Sequence, residues 1–289
     1  MTTAIIRGVE ELRAATGAWR RQGQSIALVP TMGALHEGHL SLMRLAAQHC
    51  DRVCASIFVN PTQFGPHEDF DAYPRNLERD HALLEAEGVD LLYAPTAGDV
   101  YGEGFSTSVH VGGVSEGLCG GNRPGHFDGV ALVVTKLLLR VLPDLAVFGE
   151  KDYQQLQVIR RLVRDLDIPV EILGAPTVRE DDGLALSSRN AYLDREERRV
   201  APALYRILIR YAEKLASGVP ADLAEARREL LEAGFDHVEY LEWRSSEGLH
   251  PPAAGREPAQ VPGRLLAAVR LGRTRLIDNV PVMPRTGCD

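Results

Sequence analysis

Apolar residues in the first two-thirds of the chain fall into short continuous runs, separated by stretches of helical periodicity. Ser25–Pro30 (SIALVP) is one such run and ends at a turn, TMG. His39–His49 follows with Leu40, Met43, Leu45 and Ala46 among its apolar positions at helical spacing. Val53–Val59 (VCASIFV) predicts a second buried strand, Asn76–Glu87 an amphipathic helix and Val89–Tyr93 a third strand. Gly125–Leu142 holds a strongly apolar helix, Leu145–Phe148 a strand, Asp152–Asp165 a helix, and Val170–Leu173, after Pro169, a further strand. Strands that are apolar throughout and alternate with helices imply a parallel sheet covered on both faces. Ligands in such sheets bind beyond the carboxyl ends of the strands.

After about Thr177 the rhythm changes. Asp194–Ala216 predicts one long charged helix and Asp222–Ala233 another, while His237–Trp243 alternates like a strand. Ser245–Gly263 is rich in Pro and Gly and reads as a loop, and Leu265–Val269 and Arg275–Val280 close the pattern as strands. The expected fold class is therefore α/β. A doubly wound parallel-sheet domain over residues 1–177 precedes a smaller α+β domain over residues 178–289.

Composition narrows the function. The 289 residues are 45% hydrophobic and 25% charged, the balance of an ordinary globular protein with room for a sizeable core. The net charge of −8, from 32 basic and 40 acidic residues, argues against a nucleic-acid or anionic-membrane partner. Lysine occurs only at Lys136, Lys151 and Lys214, so any lysine chemistry rests on one of these three. Cys50, Cys54, Cys119 and Cys288 form no CxxC pair and read as small buried thiols. The first residues lack a basic start and an apolar run, and no stretch reaches the ~18 apolar residues of a membrane span. A cytoplasmic setting with no membrane partner is the expectation.

Several motifs are missing. No lysine follows a glycine, which excludes a Walker A loop, and neither G-x-G-x-x-G nor G-x-S-x-G occurs. His36-Glu37-Gly38-His39 lacks the spacing of a zincin helix, because position 40 is Leu40. That segment is nevertheless the strongest in the chain. It lies in Pro30–Leu40 (PTMGALHEGHL), after the first apolar strand and at the start of a helix. Gly33 and Gly38 permit close backbone approach, and a helix N-terminus offers unpaired N–H groups and partial positive charge. Such a turn is suited to phosphate. The imidazoles of His36 and His39 can donate to phosphate oxygens as charge builds in a displacement.

H-x-G-H after the first strand resembles the nucleotidylyltransferase superfamily, whose sheet is Rossmann-like. PTMGALHEGHLSL, SIFVNPTQF, DAYPR, RPGHFDGV, FGEKDYQQLQVI and LALSSRNAYL occur in this order. Together they resemble the pantothenate synthetases, the pantoate–β-alanine ligases, over nearly the whole chain. The resemblance is weakest over the last forty or so residues, including the Pro/Gly loop.

The resemblance implies amide formation in two steps. Pantoate attacks the α-phosphate of ATP, giving pantoyl adenylate and pyrophosphate, and β-alanine then displaces AMP to form pantothenate. It implies ATP contacts from Met32, Gly33, Ala34, Leu35, His36, Glu37, Gly38 and His39. Further ATP contacts would come from Gly149, Glu150, Lys151 and Asp152, and from Val178, Leu186, Ser187, Ser188 and Arg189. His39, His36, Lys151 and Arg189 would carry the chemistry, with His39 the family's proton donor. Gln63, Gln155 and Met32 would bind pantoate, and Gln63 would also face β-alanine. Lys151, at a strand carboxyl end, suits a point charge on phosphate. Asp152 suits Mg²⁺ and equally suits a helix N-cap. Ser187, Ser188 and Arg189 fit a clamp on the outer phosphates, carried by a C-terminal domain that closes as a lid. A homodimer is implied by the family alone.

Arg123 and His126 are candidates for the pantoate or phosphate end of the site, ranked below the histidine pair. Asn60 reads as a loop-shaping residue. Tyr73 fits an active-site or a packing aromatic, and Lys136 fits burial or a stretched side chain with its amine in water. Lys214 reads as surface. The alternative is another HxGH nucleotidylyltransferase, acting on a phosphorylated small molecule. It would share His36, His39 and the Ser188-Arg189 region without needing Gln63 and Gln155.

Overall fold

The computed structural model describes residues 2–66, 68–252 and 260–283. Cys288 and part of the expected Ser245–Gly263 loop lie outside the described residues. In chain order the elements begin with β1 (Ala4–Ile6), α1 (Val9–Arg21), β2 (Ile26–Thr31), α2 (Glu37–His49) and β3 (Arg52–Ile57). Then come α3 (Leu77–Ala86), β4 (Leu91–Tyr93), α4 (Ala97–Val100), α5 (Leu118–Asn122), α6 (His126–Val141) and β5 (Leu145–Gly149). The remaining elements are α7 (Tyr153–Asp165), β6 (Glu171–Ala175), α8 (Arg195–Val200), α9 (Ala203–Ala216), α10 (Leu223–Glu232), β7 (His237–Ser245), β8 (Gly263–Leu271) and β9 (Thr274–Val282).

The chain divides into two compact units. The first holds residues 1–112, 123–150 and 158–176, and the second holds 113–122, 151–157 and 177–289. Two short segments from the first two-thirds of the sequence are thus grouped with its last third.

The first unit is built on a six-stranded sheet of order β1-β4-β3-β2-β5-β6, parallel at every pairing. β2 carries Ile26, Ala27, Leu28 and Val29, all buried, because both faces of the sheet are covered. Leu35, Leu42, Met43 and Ala46, from α2 and the turn before it, pack with Val53, Leu84, Leu92 and Val147 in one apolar cluster. From β2 the chain first moves to β3 on one side and later to β5 on the other. The crevice at this reversal, outside the β2 and β5 carboxyl ends, is where doubly wound sheets bind ligands.

The second unit is a three-stranded antiparallel sheet, β7-β8-β9, packed against α9 and α10. Leu204, Leu208 and Tyr211 of α9 and Leu230 of α10 meet Leu241, Leu265, Val269 and Val280 of the sheet. β7 carries a register shift between Val238 and Tyr240, and the strict alternation of its sides breaks there, with Tyr240 and Leu241 both buried.

The structure has the doubly wound sheet and the smaller α+β part that the sequence pattern predicts, with three local differences. The expected helix from Asp194 to Ala216 is broken into α8 and α9 at Ala201–Pro202. Pro202 has no N–H to donate back to the preceding turn, so it begins a new helix instead of continuing the old one. α2 begins at Glu37, two residues before the expected start, with His36 as its N-cap. β1, α1, α4 and α5 are additions to the expected pattern. β1 has only three residues and a single buried position, too short a pattern to register as a strand.

Candidate functional site

In the first unit the turn after β2 is shaped by two successive left-handed residues, Gly33 at φ +81° and Ala34 at φ +51°. A Cβ at position 33 would lie 3.0 Å from Asp80 Oδ2 and 3.1 Å from Ile57 Cγ2, so both the tight space and the positive φ favour glycine. The Gly33 N–H donates to Thr31 Oγ1 at 3.2 Å. Ala34 N–H donates to Asp80 Oδ2 at 2.8 Å and Leu35 N–H to Oδ1 at 2.9 Å. Two amides of the turn therefore already hold an anion, the buried carboxylate of Asp80. Leu35 is buried beneath the turn.

His36 is the extended N-cap of α2 and His39 lies one turn inside it. The His36 N–H donates to His39 Nδ1 at 3.4 Å, and the ring centroids are 4.1 Å apart. Accepting at Nδ1 assigns the proton of a neutral His39 to Nε2. Glu37 pairs with Arg44, which also donates through Nε to Glu87 Oε2 at 2.8 Å. The Arg44 hydrogen bond holds the Glu37 carboxyl below its ordinary range, although slight burial acts the other way. Gly149 ends β5, which lies beside β2 in the sheet, and Glu150 follows it.

Next to this turn, Met32 and Gln63 meet, with Gln63 Nε2 3.1 Å from Met32 Sδ. Gln63 ends a 3-10 turn, Pro61–Gln63, capped by buried Asn60. Asn60 Nδ2 donates to Gln63 Oε1 at 3.0 Å and to the Gly129 carbonyl at 3.1 Å. Its Oδ1 accepts from Tyr101 Oη at 2.7 Å. Gly129 of α6 permits the close approach: a Cβ there would lie 2.3 Å from the Thr62 carbonyl oxygen.

Arg123 and His126 brace the same turn from α6 and the residues before it. His126 Nδ1 is 2.8 Å from the Gln63 carbonyl oxygen, and Arg123 donates to His126 Nε2 at 2.9 Å. Arg123 also forms a two-pronged pair with Glu68, both contacts at 2.6 Å. Burial pushes the Glu68 carboxyl up, but the Arg123 hydrogen bonds and charge outweigh it and leave the group below its ordinary value. Tyr73 is buried, with its ring edge-on against Phe64 at 5.9 Å between centroids. Lys136 lies over Phe105 at 4.3 Å and Lys214 over Tyr211 at 4.4 Å.

The second unit gathers the other expected residues. Lys151 Nζ lies 3.8 Å from Asp152 Oδ2, and the Lys151 carbonyl accepts from Asn279 Nδ2 at 3.0 Å. Lys151, Ala185, Ser187, Asn190 and Asp278 line one shallow pocket. Val178 and Leu186 face each other across a tight connection, with Leu186 N–H donating to the Val178 carbonyl at 3.0 Å. Ser187 caps the 3-10 turn Ser188–Tyr192 by accepting from Arg189 N–H at 3.3 Å. Beneath it Arg179 makes a two-pronged pair with buried Asp278, at 2.6 and 2.9 Å, and stacks on Tyr205. Gln155 is half-buried near the start of α7. Its neighbour Gln154 is buried, accepting from Cys119 N–H at 2.9 Å and donating to the Val114 carbonyl at 3.1 Å.

Within the first unit the structure thus brings together Met32, Gly33, His36, His39 and Gln63. Within the second, Lys151 and Ser187 line one pocket, with Asp152 beside Lys151, Arg189 beside Ser187, and Leu186 paired to Val178. Sequence reasoning missed Asp80, Gly129, Arg179, Asp278 and Asn279. Asp80 is an acidic residue in the first turn of a helix, where acids are usual and solvated, and only its burial separates it from the rest.

The family model for pantoate-beta-alanine ligase matches residues 4–281. The chain belongs to this family. Among pantoate–β-alanine ligases, the pantothenate synthetase of Paramagnetospirillum magneticum is 59% identical over 98% of this chain and 100% of its own. That of Rhodospirillum rubrum is 58% identical over 96% of this chain and 98% of its own. The crystal structure of pantothenate synthetase from Thermus thermophilus superposes with a TM-score of 0.87 at 48% identity, covering 98% of this chain and 100% of that one. The pantoate–β-alanine ligase of Francisella tularensis, solved in complex with beta-gamma ATP and β-alanine, gives a TM-score of 0.82 at 34% identity over 99% of both chains.

Proposed function

We infer that this chain joins pantoate to β-alanine at the expense of ATP, forming pantothenate through a pantoyl-adenylate intermediate and releasing AMP and pyrophosphate. Family membership over residues 4–281 carries the reading. The geometry supports it: a histidine pair and a glutamine–methionine wall stand at the strand ends where a doubly wound sheet takes its ligand.

In the first step the pantoate carboxylate attacks the α-phosphate and charge grows on the departing pyrophosphate. Donors fixed in advance stabilise that charge without reorganising. We assign His39 this role through Nε2–H, with His36 beside it. Lys151 and Arg189 supply the cations, and Ser187 and Ser188 the hydroxyl donors. The other proposed nucleotide contacts are Gly33, Ala34, Leu35, Glu37, Gly38, Gly149, Glu150, Asp152, Val178 and Leu186. Gln63 and Gln155 orient pantoate against Met32. Neutral amides suit this, because a fixed cation would hold the nucleophilic carboxylate too tightly. In the second step the β-alanine amine, oriented at Gln63, attacks the acyl carbon and AMP leaves.

Mg²⁺ usually takes one or two carboxylates and completes its shell with phosphate oxygens and water. Asp152, half-exposed beside Lys151, fits that donor set. Bound there, Mg²⁺ would neutralise phosphate charge. A cytoplasmic setting fits the free thiols of Cys50, Cys54 and Cys119. No helix among the described residues is long and apolar enough to cross a membrane. Homodimerisation is proposed from the family resemblance. The acidic balance supports small-molecule substrates in preference to nucleic acid.

The test is AMP formation from ATP with pantoate and β-alanine, omitting each in turn. Pyrophosphate exchange into ATP that requires pantoate alone is expected. Exchange that requires a phosphorylated substrate instead would overturn the reading in favour of another HxGH nucleotidylyltransferase.

A further inference from the structure

Asp80 lies 46 residues from the histidine turn in sequence, yet both of its oxygens are spent on that turn. Its carboxylate is 1% exposed. A buried charge persists only where donors replace its water. Here the donors are the amides of Ala34 and Leu35, while the Arg79 guanidinium at 3.7 Å and a place in the first turn of α3 favour the negative charge. Asn76 caps α3 by accepting from Arg79 N–H at 3.0 Å, which fixes the helix end that presents Asp80.

Gly33 and Ala34 both stand in the left-handed region, and for Ala34, which has a Cβ, that conformation is strained. Successive amides in such a turn form a concave anion site. The carboxylate fills it and makes the strained conformation the favoured one. Leu35, whose amide it holds, is followed directly by His36, and the His36 amide in turn donates to His39 Nδ1. A connected path therefore runs from Asp80 through the Leu35 and His36 peptides to the His39 ring.

We propose that Asp80 is a positioning residue for the His36–His39 pair, an internal anion that sets the left-handed turn and so the placement of both imidazoles. The proposal rests on the assignment of the histidines to the phosphates. Its signature is a loss of turnover without a matching loss of substrate affinity, since Asp80 acts on the orientation of donors whose largest effect falls in the transition state.

Asp80→Asn keeps the shape and one acceptor oxygen, and Asp80→Ala removes both. Turnover is expected to fall about 10-fold in the first and about 100-fold in the second. KM for ATP and pantoate should change less than about 3-fold, and the ring resonances of His36 and His39 should shift in both variants. Gly33→Ala, which crowds the carboxylate from the turn side, should shift the same resonances. Wild-type turnover with unmoved resonances in Asp80→Asn would overturn the proposal. So would a loss of activity that merely follows the unfolded fraction measured by circular dichroism. If Asp80→Ala does not fold, Asp80→Asn and Gly33→Ala decide. His39→Ala is assayed in parallel. If it keeps wild-type turnover, the histidine assignment has failed; if it collapses while Asp80 variants remain fully active, only the Asp80 proposal has failed.

Discussion

The backbone N–H of His36 donates to Nδ1 of His39 while the two rings lie 4.1 Å apart. The His39 proton is assigned to Nε2, the nitrogen that can act as a donor beyond the turn. His39→Ala is expected to reduce turnover by about 10²–10⁴, the usual range for a positioned donor. His39→Gln, which retains a donor of similar reach, should lose less. Steady-state kinetics with saturating ATP, pantoate and β-alanine check both, and near-wild-type turnover in His39→Ala would sink the assignment.

Gly129 makes room for the loop that carries Gln63. An alanine Cβ would lie 2.3 Å from the Thr62 carbonyl oxygen and 2.7 Å from the Gln63 amide nitrogen, both backbone atoms that cannot swing aside. Gly129→Ala should therefore destabilise the protein by roughly 1–3 kcal/mol, as overpacking does. It should also raise KM for pantoate more than KM for ATP, because the displaced segment holds Gln63. Urea titration and substrate-saturation curves measure the two effects. Unchanged values for both would show that the helix and loop part easily.

The Glu68–Arg123 pair makes stability depend on pH in a defined direction. Burial raises the Glu68 carboxyl, the Arg123 hydrogen bonds and charge oppose this and outweigh it, and the net folded value is depressed. A depressed acid contributes stability above its unfolded pKa and loses it as pH falls through the folded one. The Tm difference between wild type and Glu68→Gln should hold steady from about pH 7 to about pH 5 and shrink below about pH 4. A difference that grows with acidification would show that the folded carboxyl is raised instead.

Arg179 and Asp278 form a largely buried ion pair, with Asp278 3% exposed. Asp278→Ala leaves the guanidinium without its carboxylate and is expected to cost about 3–5 kcal/mol. Removing both charges, as in Arg179→Met with Asp278→Leu, should cost clearly less. Chemical denaturation of the three proteins tests this, and equal losses in single and double variants would argue against charge as the cause.

The parallel sheet is readable because its strands are apolar throughout, and Gly125–Leu142 is readable as a helix because its apolar content leaves few alternatives. The break at Pro202 is also present in the sequence, but the charged periodicity on either side of it masks the proline. Gln155 is harder. Gln154, Gln155 and Gln157 lie close together on α7, and no local pattern says which amide is buried in backbone contacts and which remains half-buried. Arg123 and His126 illustrate the same limit, because their residue types suit an anion site while their partners in the fold are Glu68 and the Gln63 carbonyl.

The sequence by itself determined the α/β class, the strand that ends in the histidine turn, and the motifs whose chemistry requires those residue types. These are local: hydrophobic period, glycine spacing and side-chain identity lie within a few residues of one another. Tertiary structure alone decided that Asp80 fills the turn's amides, that Gly129 admits the Gln63 loop, and that Asn279 holds the Lys151 carbonyl. Each joins residues 46 to 128 positions apart. A buried polar atom takes whatever partner the packing brings to it, and that partner leaves no periodic trace in the chain.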